Sequence, residues 1–225
     1  MALKEIGLIT FGESAVVALA KVGGLLEAEG LAVDETRTPS STEQMRGLIN
    51  DRWQVASTAF DNVLAWSERE GPEVVAIAKA SSGVNLPVYV RPEIESWDDL
   101  RGKALAVDAV DTAYGLVLRR ILQEHGLEMQ RDFTFVPEGA TGYRFESMQK
   151  GQTFAAVLNP PWDTSAEQAG MKLFARHSEV VPDYPGGVYA VSKPWAAANR
   201  ETVVKFLRAL IIATRWAKDP DRAKA

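Results

Sequence analysis

Four carboxylates, Glu13, Asp61, Asp108 and Asp111, stand where an apolar run gives way to a helical pattern. At such a junction a carboxylate has three uses. It can cap the helix by accepting its first amides. It can accept hydrogen bonds from a cationic or donor-rich ligand. It can move a proton, if burial tunes its pKa toward neutrality. These junctions, with the stretches 159–163 and 184–189, hold Phe11, Phe60, Tyr114, Trp162 and Tyr184, a higher density than the 8% aromatic content of the chain. They also hold Ser14, Ser57, Thr58, Thr112 and Asn159. Aromatic walls with a few placed polar groups suit a pocket for a small molecule.

Each of these residues also has a plainer use. Asp111 is expected as the N-cap of a helix beginning at Thr112, and Asp61 can cap its own helix. Phe60 and Trp66 can pack against a sheet. Trp162, after Pro160 and Pro161, is either a turn residue or a ligand wall. His125, near a helix C-terminus where partial positive charge is favourable, reads as structural. So does His177, beside Arg176 on a turn expected to be exposed.

Composition removes other chemistries. The 225 residues carry a net charge of -5 and 46% hydrophobic residues, as in a globular protein of one or two domains. There is no cysteine, which excludes disulfides, thiolate catalysis and cysteine-ligated zinc. The two histidines do not form a metal-spaced pair, and neither a metal nor a cofactor is expected. There is no basic stripe for nucleic acid. No apolar run has the length of a membrane span, so direct membrane insertion is not expected. The start, Met1 to Lys4, has no signal-peptide pattern. The protein is therefore expected to be cytoplasmic, or periplasmic or cell-surface if a leader has been removed.

The elements that must position these residues follow from periodicity. Residues 3–10 read as a strand, and 14–31 as one helix ending at Gly30. A strand follows at 32–38, then a helix at 41–51 capped by Ser41 or Thr42. Strand 53–58, helix 60–70 and strand 73–81 complete a β-α-β-α-β-α-β pass, the order of a mostly parallel sheet. A second pass then begins, with strand 103–108, helix 112–127, strand 132–137, helix 143–152 and strand 154–159. "LLEAEGL" parallels "ILQEHGL", and "MRGLINDRWQVAST" parallels "FESMQKGQTFAAVL" about one hundred residues later. That spacing is too long for a solenoid repeat and indicates two domains of one architecture.

An extended stretch at 84–97 lies between the passes, and a second at 184–196 follows the second pass and leads into an apolar helix at 201–219. They are expected to form a two-strand hinge with a ligand cleft between the domains. Domain one would be discontinuous, 1–88 plus 190–225, and domain two would be 89–189. Ligands of open α/β sheets bind at the carboxyl ends of the strands. That rule selects the loops 11–14, 57–62, 81–85, 108–114 and 159–163, with 184–189 near the hinge.

Together, "EIESWDDLRGKALAV", "GLLEAEGLAV", "KGQTFAAVLNPPW" and "YPGGVYAVSKPW" resemble the type II periplasmic binding proteins. The nearest branch holds nitrate, sulfonate and taurine binders and the thiamine-pyrimidine synthase-like proteins. The resemblance covers nearly the whole chain. It departs at Phe154, where Asp is common, and at Thr10 to Ser14, where a small Gly/Ser-rich loop is usual. It also implies further helical turns after Ala225, so the chain is expected to be a piece of a longer one.

The resemblance implies a solute-binding protein that serves an ABC permease and captures a small organic molecule. Glu13 and Asp108 facing the ligand, with no arginine in the five loops, would repel a doubly charged anion. Nitrate, sulfonate and phosphonate are therefore disfavoured, and a neutral, zwitterionic or cationic ligand, aromatic or heterocyclic, is favoured. The alternative is an enzyme on the same fold, a decarboxylase, hydratase or pyrimidine-synthase-like protein, using Glu13, Asp61, Asp108 or Asp111. A ligand-sensing domain of a regulator is a third option.

Overall fold

The computed structural model describes residues 2–67, 71, 73–80 and 86–219. The loop 81–85 lies outside the described residues. In chain order the elements are β1 (Lys4–Thr10), α1 (Ala15–Val22), α2 (Leu25–Ala28), β2 (Leu31–Arg37), α3 (Ser41–Ile49), β3 (Val55–Ala59), α4 (Phe60–Ser67) and β4 (Val74–Lys79). Then come β5 (Pro87–Val90), β6 (Lys103–Val107), α5 (Ala113–Glu124), β7 (Phe133–Pro137), α6 (Thr141–Gln149), β8 (Ala155–Val157), α7 (Trp162–Gln168) and β9 (Lys172–Arg176). The chain closes with β10 (Gly187–Ser192), α8 (Lys193–Ala198) and α9 (Arg200–Ala217).

These elements fall into two units, Met1–Ser82 with Gly187–Ala225, and Gly83–Gly186. The first sheet runs β2-β1-β3-β10-β4 and the second β7-β6-β8-β5-β9. The changeovers lie a few residues earlier than the expected 88 and 190. Val88 is paired with Val157 and Ala175, and Val188 with Thr58 and Lys79, so each already belongs to its new sheet.

Both sheets are mixed where a mostly parallel one was expected. β1 runs parallel to β2 and β3, and β6 parallel to β7 and β8. β10 and β5, the strands that arrive from the other unit, run antiparallel to both neighbours. Parallel neighbours need a crossover, usually a helix. β5 and β10 have none from their own sheet, and nothing in their apolar pattern encodes direction.

Strand alternation puts a core on each face of the first sheet. Ile6, Leu8, Tyr189 and Val191 face Val17, Phe206 and Leu210 of α1 and α9. Ile9, Ala56, Val188 and Ala190 share the opposite face with Met45, Leu48 and Val63 of α3 and α4. In the second unit Leu105 and Val107 pack with Val117, Leu118 and Ile121 of α5. Ala106 and Tyr89 pack with Phe145 and Met148 of α6. Each fully buried Leu, Ile, Val, Phe or Met contributes about 1.5–3 kcal/mol.

Several local expectations change. The helix expected over 14–31 breaks into α1 and α2, because Gly24 takes φ +66°, a left-handed value that ends a helix. The N-cap of α3 is Ser40, not Ser41 or Thr42, and its hydroxyl accepts the Glu43 amide at 3.2 Å. α7 and β9, which follow β8, and α8, which follows β10, are absent from the sequence reading. Phe154, at the position where the resemblance expects Asp, lies under two cations. Lys103 Nζ is 4.6 Å and the Arg91 guanidinium 5.4 Å from its ring centroid. His177 is buried rather than exposed, and its Nδ1 accepts the Leu86 amide at 3.3 Å. His125 stacks on Trp97 at 4.0 Å.

Asp132 ties down the amino ends of β6 and β7. Its carboxylate accepts from Arg131 Nη2 at 2.6 Å, from the Glu128 amide at 2.8 Å and from Arg101. These donors, Arg131 first, hold its carboxyl well below the usual range. A carboxyl depressed in the folded state stabilises above its unfolded value, about 3.9, and loses that contribution as pH falls further. Asp132→Asn is therefore expected to unfold at lower urea concentration than the parent at pH 7. The gap between the two midpoints is expected to be constant down to about pH 5 and to narrow below about pH 4.

Candidate functional site

The loops at the carboxyl ends of the first sheet hold seven of the sequence-predicted residues. Thr10, at the end of β1, is buried and donates to the Gly12 carbonyl at 2.7 Å, which turns the chain and leaves Phe11 exposed. Glu13 is exposed and ion-paired with Arg37, so its charge is already matched. Ser14 caps α1 by accepting the Val17 amide at 3.4 Å, and its hydroxyl lies 3.3 Å from Tyr189 Oη. Glu13, Ser14, Lys21, Glu35 and Arg37 line a shallow concavity of about 350 Å³.

At the end of β3, Thr58 is buried and accepts from Asn62 Nδ2 at 3.0 Å. The Ser57 carbonyl accepts from Gln44 Nε2 at 2.9 Å, and the same nitrogen reaches the Ile9 carbonyl at 3.2 Å. Gln44 is fully buried and its Oε1 has no partner. This residue, which splices the ends of β1 and β3, was missed. Its signal was a polar residue beside Met45 and Leu48 on the apolar face of α3. Phe60 packs with the core under α4, and Asp61 lies in the first turn of that helix.

The second sheet gathers a denser group. Parallel register aligns Val107 with Pro137, and the next residues, Asp108 and Glu138, leave β6 and β7 together. Asp108 is half-buried, with one carboxylate oxygen enclosed and without a hydrogen bond. Glu138 accepts from Ser147 at 2.6 Å, and its other oxygen is likewise enclosed and unpaired.

Asp111 is exposed and does not cap α5. The cap position is Thr112, and its hydroxyl donates backward to the Ala109 carbonyl at 3.0 Å. The first amides of α5 are therefore without a side-chain cap. Gly115 lets the loop fold onto the helix. A methyl at its Cα would stand 2.4 Å from the Ala109 oxygen and 2.9 Å from that of Val110.

Arg144, also missed, lies among these loops. It is 1% exposed, and its guanidinium donates to Val157 O, Gly139 O and Thr141 Oγ1. It sits 5.0 Å from the Tyr114 ring centroid. Burial pulls its pKa down, while the fields of Asp108, Tyr114 and Glu138 oppose that shift. The five loops hold no arginine of their own, as expected, but this one on α6 sets its field against Asp108 and Glu138. An arginine on the buried side of α6, next to Phe145, was the visible signal.

Thr141 donates onward to Asn159 Oδ1 at 2.7 Å. Trp162 rests on α6, with its ring against Gly142 and 5.5 Å from that of Phe145. That contact explains its place after the two prolines, and the side chain is still partly exposed. Tyr184 packs edge-on to His177, 6.4 Å between centroids. The fold thus brings Asp108, Tyr114, Asn159 and Trp162 around one carboxyl-end face, and leaves Asp111 outward. Among the described residues no helix is long and apolar enough to cross a membrane.

The pattern of the NMT1-like family matches residues 3–225. The chain belongs to the NMT1-like family. A curated relative is YtlA of Bacillus subtilis (strain 168), 20% identical to this NMT1-like chain over 206 residues. The alignment covers 89% of this chain and 61% of YtlA, so the chain spans about three fifths of that relative's length.

Among the solved structures that share the fold are two sulfonate-binding proteins. The alkanesulfonate-binding protein SsuA of Xanthomonas axonopodis pv. citri, bound to MOPS, superposes with a TM-score of 0.76 at 18% identity. That match covers 100% of this chain and 77% of SsuA. The periplasmic aliphatic sulphonate binding protein SsuA of Escherichia coli gives 0.77 at 17% identity, covering 96% and 75%. These likenesses show that this NMT1-like chain has the periplasmic binding protein fold.

Proposed function

We propose that this chain is the solute-capturing part of an ABC-type importer, acting in the periplasm or at the cell surface and delivering its ligand to a membrane permease. Support comes from its NMT1-like membership and from fold neighbours such as the SsuA proteins and a Staphylococcus aureus ligand-binding component of an ABC-type import system. The ligand is a small organic molecule that offers a positive charge or N–H donors, with an aromatic or heterocyclic body.

One observation carries this reading. One oxygen of the half-buried Asp108 carboxylate is enclosed without a hydrogen bond, beside the uncapped start of α5. A desolvated carboxylate is costly without a partner, and a ligand donor supplies one. Around the same face Asp108 and Glu138 outnumber Arg144, which works against anions. Tyr114 and Trp162 supply ring faces.

The test is a thermal-shift panel of aromatic amines, aminopyrimidines, amino acids and polyamines, set against alkanesulfonates and nitrate. A ligand at one hundred times its Kd stabilises by about 2.7 kcal/mol, worth several degrees in Tm for chains of this size. The donor-bearing compounds are expected to raise Tm and the anions to leave it unchanged. Asp108→Asn is expected to remove about 1.5–3 kcal/mol of binding, the worth of a charge-assisted hydrogen bond. A shift with alkanesulfonate or nitrate, retained in Asp108→Asn, would overturn the ligand class.

A further inference from the structure

We infer that Arg144 is the positioning residue that holds the three carboxyl-end loops of the second unit in one arrangement. The inference rests on the reading that these loops hold the ligand.

Every loop on that face meets this guanidinium or its relay. Nε and Nη2 donate to Val157 O at 3.3 and 3.1 Å, fixing the end of β8. Nη1 donates to Gly139 O, and Nη2 to Thr141 Oγ1 at 2.9 Å, fixing the loop that opens α6. Thr141 passes the restraint to Asn159, and the Asn159 carbonyl accepts the Trp162 amide at 3.0 Å. On the remaining side the cation faces the Tyr114 ring, and its field reaches Asp108 and Glu138. One side chain therefore faces Tyr114, relays to Asn159 and Trp162, and acts on Asp108 through its field.

The burial of Arg144 makes little sense as packing. A desolvated cation is penalised by several kcal/mol, and an apolar residue at this point of α6 would extend the core of Phe145 and Met148. No carboxylate lies within ion-pair distance of it among the described residues. What the guanidinium supplies is a planar fork of donors pointing at several loops at once. A lysine keeps the charge but has no fork. Loops held this way have little ordering entropy left to lose on binding, and so bind more tightly.

The experiment is hydrogen–deuterium exchange on the ligand-free protein, comparing the parent with Arg144→Lys and Thr141→Val. Arg144→Lys is expected to speed exchange roughly tenfold in 108–115, 139–142 and 158–163 together. Leu105 and Ala106 of β6 are expected to keep the parent rate. Thr141→Val is expected to loosen only 158–163.

Parent-like exchange in Arg144→Lys would overturn the inference. So would faster exchange confined to α6, or spread evenly over the unit as in simple destabilisation. Should Arg144→Lys not fold, Thr141→Val decides, since a parent rate at 158–163 removes the relay. The readout uses no ligand. A failed thermal-shift panel therefore tells against the proposed function, and unchanged exchange tells against Arg144.

Discussion

Gly115→Ala is expected to abolish binding of the compound that raises the melting temperature of the parent protein. It should also lower the stability of the second unit by about 1–3 kcal/mol, the usual range for overpacking. The added methyl would meet two backbone oxygens, Ala109 at 2.4 Å and Val110 at 2.9 Å. Backbone cannot swing aside as a flexible side chain can. The loop must lift from the first turn of α5, and three features move with it. The hydroxyl of Thr112 loses the Ala109 carbonyl, now 3.0 Å away. Asp108, one residue before Ala109, changes its position over the start of the helix. The uncapped amides of α5 no longer face the same space.

Isothermal titration with that compound, alongside urea unfolding, measures both effects. Leu116→Ala, one residue on and 42% exposed, is the control, expected to bind as the parent does. Full binding by Gly115→Ala would show that the 108–112 loop takes no part in the site.

Gly47→Ala is expected to be the most destabilising single methyl in the first unit, at about 3 kcal/mol, the upper end for overpacking. The Cε3–Cζ3 edge of the Trp53 ring packs against Gly47 of α3, and a Cβ there would stand 2.1 Å from Cζ3 and 2.2 Å from Cε3. The ring cannot retreat. Its other neighbour is Gly7 of β1, where a Cβ would stand 3.1 Å from Cδ1, and Nε1 donates to Thr36 at 3.2 Å. Trp53 is 5% exposed and packs with Met45 and Leu48. Trp53→Leu alone leaves a void and costs up to about 3–5 kcal/mol, the range for truncating a buried aromatic. In the double variant the new methyl occupies part of that void. The combined loss is therefore expected to fall well short of the sum of the two. Urea midpoints of the four proteins check this, and strict additivity would refute the contact.

Most elements were legible because their information is local. Alternation in Lys4–Thr10 and Lys103–Val107, and helical spacing in Ala113–Glu124 and Arg200–Ala217, need only near neighbours in the chain. Caps were less legible. Asp111 is the better capping residue by type, yet the loop geometry places Thr112 at the cap and turns its hydroxyl the other way. The helix expected over 14–31 failed at Gly23 and Gly24 for a related reason. Apolar spacing continues across the pair, but the φ of Gly24 does not.

The site divides along the same line. By itself the sequence determined two repeated α/β passes, the family, and the placing of Asp108, Tyr114, Asn159 and Trp162 just after strands. These follow from periodicity and from chain order. Only the tertiary structure decided that β5 and β10 run against their neighbours, because strand direction depends on where the chain crosses between units. Only it showed Glu13 matched by Arg37, 24 residues away, and one Asp108 oxygen enclosed without a hydrogen bond. Only it placed Arg144 beneath the loops that begin or end at 107, 139 and 157. Partners of a charged group are set by which loops meet in space, and spacing along the chain carries no record of that.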